Sequence, residues 1–223
     1  ERERRRAFLS CLQDPEKAYR VNALAVEYVT EAAREAGARL CQISTDYVFP
    51  GTHPPYREAD LPAPVNLYGR TKLAGEHAAR RAPEALIVRI TAQWSLHLAE
   101  PRNFASQLAG RLREGQRVTL DDEIVRYYTL SEDVARAVRF LLEQEVTGLV
   151  HVTAHQKTTK YDFARRLARA LGVDDHLVEQ GPVPTDGDVR PHDTHLSTDR
   201  YDALGGPAMT DIDSALGQLT SSA

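Results

Sequence analysis

The alternation of segments between Asp14 and Thr91 constrains the fold more than any other feature of the chain. Asp14-Pro15 has the form of a helix opening, a side-chain cap followed by proline in the first turn. Ala18, Val21, Ala25, Val29 and Ala32 then recur at three- and four-residue steps, and Gly37 supplies a stop, which predicts an amphipathic helix of about six turns. Residues 39–44 (RLCQIS) read as a short, largely buried strand. Pro50, Pro54, Pro55, Pro62 and Pro64 exclude a regular element up to Asn66, so this stretch is expected to be an ordered surface loop. Asn66 caps a second helix running to about residue 81, and residues 85–91 (ALIVRIT) form a β-branched strand. Helix, strand, helix, strand is the signature of an α/β fold with parallel pairing.

Further along, residues 103–114 read as helix, 117–120 as strand, 131–144 as helix, 148–154 as strand and 159–171 as helix closed by Gly172. From Val173 onward the pattern is loop-rich, with two short helices at the end.

Chemistry concentrates at one place in this layout. Tyr68 and Lys72 are four residues apart in the second helix and share a face. An ammonium beside a phenol favours the phenolate, so the spacing predicts a Tyr68 pKa pulled below its usual value of about 10. With nine Tyr in the chain the spacing is a weak signal alone, but it has a companion. The run Ser44-Thr45-Asp46-Tyr47-Val48-Phe49 sits at the carboxyl end of a predicted strand, where open α/β sheets bind their ligands. Thr45 is then placed to donate to a carbonyl oxygen while Tyr68 supplies a proton.

Residues 43–76, ISTDYVFPGTHPPYREADLPAPVNLYGRTKLAGE, resemble the extended short-chain dehydrogenase/reductase superfamily, and within it the dTDP-4-dehydrorhamnose reductase family together with its non-catalytic relative, the regulatory beta subunit of methionine adenosyltransferase. Asn22, Val88-Arg89, Asn103-Phe104, Asp133-Val134-Ala135, Tyr161-Asp162-Phe163-Ala164, Arg190-Pro191 and Leu196 carry the match along nearly the whole chain. The resemblance implies a Rossmann-like parallel sheet (residues 1–92 and 131–153) with a smaller nucleotide-sugar-binding part (93–130 and 154–223). It implies Thr45, Tyr68 and Lys72 as catalytic residues, and Ser44, Tyr68 and Lys72 as contacts to NADPH or NADH. Thr45, Asp46, Asn103 and Arg190 are implied as substrate contacts; a guanidinium such as that of Arg190 binds oxyanions in a bidentate way. The implied reaction is reduction of the 4-keto group of a dTDP-linked 6-deoxysugar. The alternative is a regulatory subunit of the same fold.

The sequence departs from that pattern in places. None of the 13 glycines falls in a G-x-G-x-x-G arrangement. The resemblance places that motif in a stretch on the order of 60 residues ahead of the position of Asp14, so this chain by itself is expected neither to hold the dinucleotide nor to turn over. Pro50 stands where the family has aspartate. Trp94 reads either as a sugar-stacking residue or as a packed aromatic, and Tyr127-Tyr128 as a half-buried strand pair.

Charge narrows the partners. With 28 Lys plus Arg against 32 Asp plus Glu there is no basic field for nucleic acid, and Arg2, Arg4, Arg5 and Arg6 read as a solvated cluster. No apolar run approaches the roughly 18–20 residues a bilayer span needs. Cys11 and Cys41 are too few for a disulfide scaffold, and His192, Asp193 and His195 are too thin for a metal site. A cytoplasmic enzyme is expected, with no membrane or metal partner and a homodimer as the candidate assembly.

Overall fold

The computed structural model describes residues 11–97, 103–184 and 189–220, so the N-terminal Arg cluster lies outside the described residues. The chain divides into two compact units, one comprising Glu1–Ile90, Val138–Val152 and Thr185–Gly206, the other Thr91–Ala137, Thr153–Pro184 and Pro207–Ala223. Residues 189–206, which the resemblance groups with the smaller part, thus pack in the first unit.

The first unit is built on a parallel sheet of β1 (Cys41–Thr45), β2 (Leu86–Ile90) and β6 (Gly148–Val152), in the order β1-β2-β6. Cys41 pairs with Leu86, and Leu86 in turn with Gly148. Helices α1 (Pro15–Tyr19) and α2 (Ala25–Glu35) are joined through a π-helical turn at Arg20–Leu24. The predicted long helix is therefore real but interrupted. Helix α3 (Leu67–Ala79) is capped by Asn66, whose Oδ1 accepts from the Gly69 N–H at 2.7 Å. Val26, Leu40, Ala78, Ala79, Ala85 and Ile87 form one core, while Val48, Phe49, Tyr56 and Leu196 form another under the proline loop. That loop is ordered by Tyr56, which stacks on Phe49 at 4.3 Å and exchanges backbone bonds with His195 and Ser197.

The outer edge of β6 is closed by side chains. Arg200 donates to the Leu149 and Thr147 carbonyls, and Glu58 accepts the His151 N–H at 3.0 Å. Charged residues on an edge strand block further strand pairing.

The second unit holds two short parallel pairs, β3 (Gln93–Trp94) with β5 (Thr129–Leu130) and β4 (Val118–Asp121) with β7 (Val178–Gly181). Helices α4 (Phe104–Arg113), α6 (Lys160–Ala170) and α8 (Ile212–Thr220) supply Leu108, Leu112, Phe163, Leu167, Ile212 and Leu216 to its core. Trp94 is 1% exposed and meets Phe163 edge-on at 5.2 Å, so it is a packed aromatic rather than a ligand platform. Tyr127 and Tyr128 are fully buried and lie outside any strand. Helix α5 (Ser131–Glu143) runs across the boundary between the units, and α7 (Asp199–Ala203) belongs to the first.

Candidate active site

The carboxyl end of β1 and the first turns of α3 meet because two glycines allow it. A Cβ on Gly69 would stand 2.1 Å from the Tyr47 carbonyl oxygen, and one on Gly75 would stand 2.2 Å from that of Asn22. The backbone of α3 thereby lies directly against the segment after β1 on one side and against the π-helical turn on the other. Asn22, in that turn, donates to Thr71 Oγ1 at 3.0 Å.

Three successive turns of α3 then attach to three residues of β1. The Tyr68 hydroxyl shares a hydrogen bond with Thr45. Lys72 Nζ donates to the Ile43 carbonyl at 2.6 Å. Ser44 Oγ donates to Glu76 Oε1 at 2.5 Å. Tyr68, Lys72 and Glu76 are spaced by four, which puts all three on one face of the helix.

Thr45 is itself held by Asp46. Its hydroxyl donates to Asp46 Oδ1 at 3.0 Å and accepts the Tyr47 N–H at 3.2 Å, and Thr194 donates to Asp46 Oδ2. Thr45 thus lies between Asp46 and the Tyr68 oxygen, with one hydroxyl proton to share between them. Burial, reinforced by the Asp46 charge, pushes the Tyr68 pKa up to about 12, despite the opposing Thr45 hydrogen bond. This reverses the lowering expected from the Tyr-x-x-x-Lys spacing. The Lys72 ammonium is turned onto a backbone carbonyl, while the carboxylate of Asp46 acts directly on the phenol. Tyr68 is therefore a protonated acid at neutral pH. Burial lowers the Lys72 pKa, with Glu76 opposing that shift.

The other residues singled out by sequence are placed as follows. Ser44 is buried with its hydroxyl on Glu76, so only its backbone can face a ligand. Asn103 caps α4, accepting the Ser106 N–H at 3.0 Å through Oδ1. Arg190 is half-buried in the first unit. Thr194 gave no sequence signal, because it lies 148 residues from the Asp46 it contacts. Among the described residues, Asp174, Asp175 and His176 come within ligand reach of one another, but Asp175 is already paired with Arg165 and Arg169.

Residues 6–222 match the RmlD substrate binding domain family model. The chain belongs to this family. Its relatives include dTDP-4-dehydrorhamnose reductase from Salmonella typhimurium, 36% identical over 202 residues, covering 84% of this chain and 67% of that protein. Methionine adenosyltransferase 2 subunit beta from Danio rerio is 36% identical over 183 residues, covering 78% of this chain and 57% of that one. Among solved structures, a dTDP-4-dehydrorhamnose reductase from Clostridium acetobutylicum superimposes with a TM-score of 0.85 at 27% identity, covering 96% of this chain and 76% of that one. The Bacillus anthracis structure in complex with NADP has a TM-score of 0.86 at 24% identity and so shares the fold. The family fold is the Rossmann-like α/β arrangement anticipated from the sequence, and no described helix is long and apolar enough to cross a membrane.

The donor set fits the nicotinamide end of a dinucleotide. The Lys72 amine and the Tyr68 phenol stand one turn apart beside the carboxyl end of a parallel strand, where such ligands bind.

Proposed function

We propose that Thr45, Tyr68 and Lys72 form the proton-donating centre of a reductase acting on the 4-keto group of a dTDP-linked 6-deoxysugar, with NADPH or NADH as the partner. The observation that carries this reading is the meeting of Tyr68 with Thr45 at the carboxyl end of β1, with Lys72 one turn further along α3 and Asp46 on Thr45. When bound, the dinucleotide supplies the hydride. Reduction of a ketone generates an alkoxide, a stronger base than a phenolate, so a phenol of pKa about 12 gives up its proton once that charge develops. Thr45 orients the carbonyl oxygen. Asp46, held by Thr194, fixes the Thr45 rotamer and contacts the sugar. Lys72 grips the nicotinamide ribose and steadies the phenolate left behind, with Ser44 contributing through its backbone. Arg190 and the Asn103 amide are assigned to the nucleotide-sugar, Arg190 to its diphosphate.

The test is Tyr68→Phe in a protein that carries, ahead of Asp14, the glycine-motif segment the resemblance implies. Ketosugar-dependent NAD(P)H oxidation should fall by about 10²–10⁴-fold, while the urea melt and calorimetric binding of the dTDP-sugar stay unchanged. Undiminished turnover would remove Tyr68 from the role. The equal identity to methionine adenosyltransferase 2 subunit beta supports a second reading as a regulatory subunit. In that case dinucleotide titration gives no ketosugar-dependent oxidation even in the unaltered protein.

A further inference from the structure

Glu76 is a fully buried carboxylate on the helix that carries Tyr68 and Lys72, and the proton donation described above makes no use of it. It is 0% exposed, as is its partner Arg89 on β2. Arg89 Nε donates to Glu76 Oε1 at 2.8 Å and its terminal nitrogen donates to Oε2 at 2.7 Å, a bidentate clamp. Ser44 of β1 completes the coordination at 2.5 Å, and Arg80 stands 3.8 Å from Oε2. Beyond Arg89, His151 of β6 lies at 3.4 Å, with the Phe49 ring 4.9 Å from the guanidinium carbon. A buried pair of this kind adds little to stability compared with apolar residues of the same volume, so its presence points to a role in fixing geometry.

We propose that Glu76 is a positioning residue for Lys72: clamped by Arg89 and Ser44, its carboxylate locks the Tyr68–Lys72–Glu76 stripe of α3 onto β1 and supplies the anion one turn from the Lys72 ammonium. The inference rests on the reductase reading for what Lys72 does, but not for where Glu76 sits. Three attachments to three consecutive residues of β1 leave α3 no freedom to slide. The charges facing the site are accounted for element by element. Arg89 is spent on Glu76 itself, and Arg80 is on the half-exposed rim. His151 is neutral near pH 7, because burial and Arg89 lower its pKa to about 4. Asp46 and Cys11 act on Tyr68. Glu76 is thus the anion that opposes the effect of burial on Lys72.

The test reads Lys72 directly. The pH dependence of acetic anhydride labelling, followed by peptide mass spectrometry, gives the titration midpoint of each of the four lysines (Lys17, Lys72, Lys157, Lys160). Glu76→Gln should lower the Lys72 midpoint by about one pH unit, raising its labelling about tenfold at a fixed pH below that midpoint. Glu76→Asp, which keeps the charge, should return it towards the original value, and the other three midpoints should stay still. Should Glu76→Gln fail to fold because Arg89 is orphaned, Glu76→Gln with Arg89→Gln replaces the ion pair by a neutral hydrogen-bonded one and should shift the midpoint in the same direction by a smaller amount, since both charges of the pair are removed. An unchanged Lys72 midpoint in a folded variant overturns the proposal, as does failure of both variants to fold, which would confine the pair to stability. A shifted midpoint in a protein that carries the glycine-motif segment yet shows no ketoreductase activity would defeat the reductase reading and leave the coupling of Glu76 to Lys72 intact.

Discussion

Gly69→Ala and Gly110→Ala make the same chemical change in two helices and should have opposite effects. In α3, the new methyl would meet the Tyr47 carbonyl oxygen at 2.1 Å and Pro64 Cβ at 2.9 Å. The first obstacle is backbone, which has no rotamer to move into. Restoring an ordinary contact of 3.4 Å requires about 1.3 Å of added separation between the start of α3 and the segment after β1. Overpacking of this kind costs about 1–3 kcal/mol, or a fall in Tm of about 2–4 °C per kcal/mol for a chain of this size. The displaced residue is the neighbour of Tyr68, and a misplacement of about 1 Å at a reacting group costs on the order of 10²-fold in rate. In α4, a Cβ on Gly110 meets nothing within 4 Å, so alanine there should stabilise by about 0.5–1 kcal/mol through the lost chain entropy of glycine. Urea unfolding followed by circular dichroism measures both. A Gly69→Ala protein as stable as the parent, or two variants shifting in the same direction, would refute the close approach of α3 to Tyr47.

Two further outcomes concern pH. Burial tends to raise Asp121, but the Lys160 ammonium at 2.8 Å and the Ile124 N–H hold its pKa below the usual range. A depressed carboxyl stabilises the fold above its unfolded value of about 3.9 and loses that contribution only as pH falls below it. Lys160→Met should therefore cost about 3–5 kcal/mol near neutrality and start acid unfolding at a higher pH, read by a fluorescence melt across pH 3–7; an unchanged acid midpoint would contradict the pair. Burial and Arg89 hold His151 at about 4, so it binds protons more readily when unfolded. Stability should fall from about pH 6.5 towards about pH 4, and His151→Gln should flatten that slope. An imidazole resonance assigned to His151 that titrates near 6.5 would exclude its place in the core.

The sequence showed periodicity well and long-range placement not at all. Strands at 39–44, 85–91 and 148–154 were within two residues of β1, β2 and β6, because parallel strands read as β-branched runs. β7 (VEQG) and the two-residue pair β3–β5 carry no such run, since they are held by their neighbours rather than by their own pattern. The π-helical turn at Arg20–Leu24 is equally silent, and the residue it packs against, Gly75, lies 53 residues beyond Asn22. At the site, the strand end and the Tyr68–Lys72 spacing were legible. The direction of the Tyr68 shift was not, because it depends on burial and on a through-space carboxylate, and helix spacing encodes neither.

The charged closure of β6 also governs how copies of this chain can associate. A strand edge whose carbonyls are already occupied by Arg200 and whose N–H is taken by Glu58 offers no hydrogen-bonding row to a second molecule. Sheet-to-sheet addition needs two receptive edges per molecule to propagate. With that side of the three-stranded sheet sealed, β6 is closed to strand addition by a second molecule.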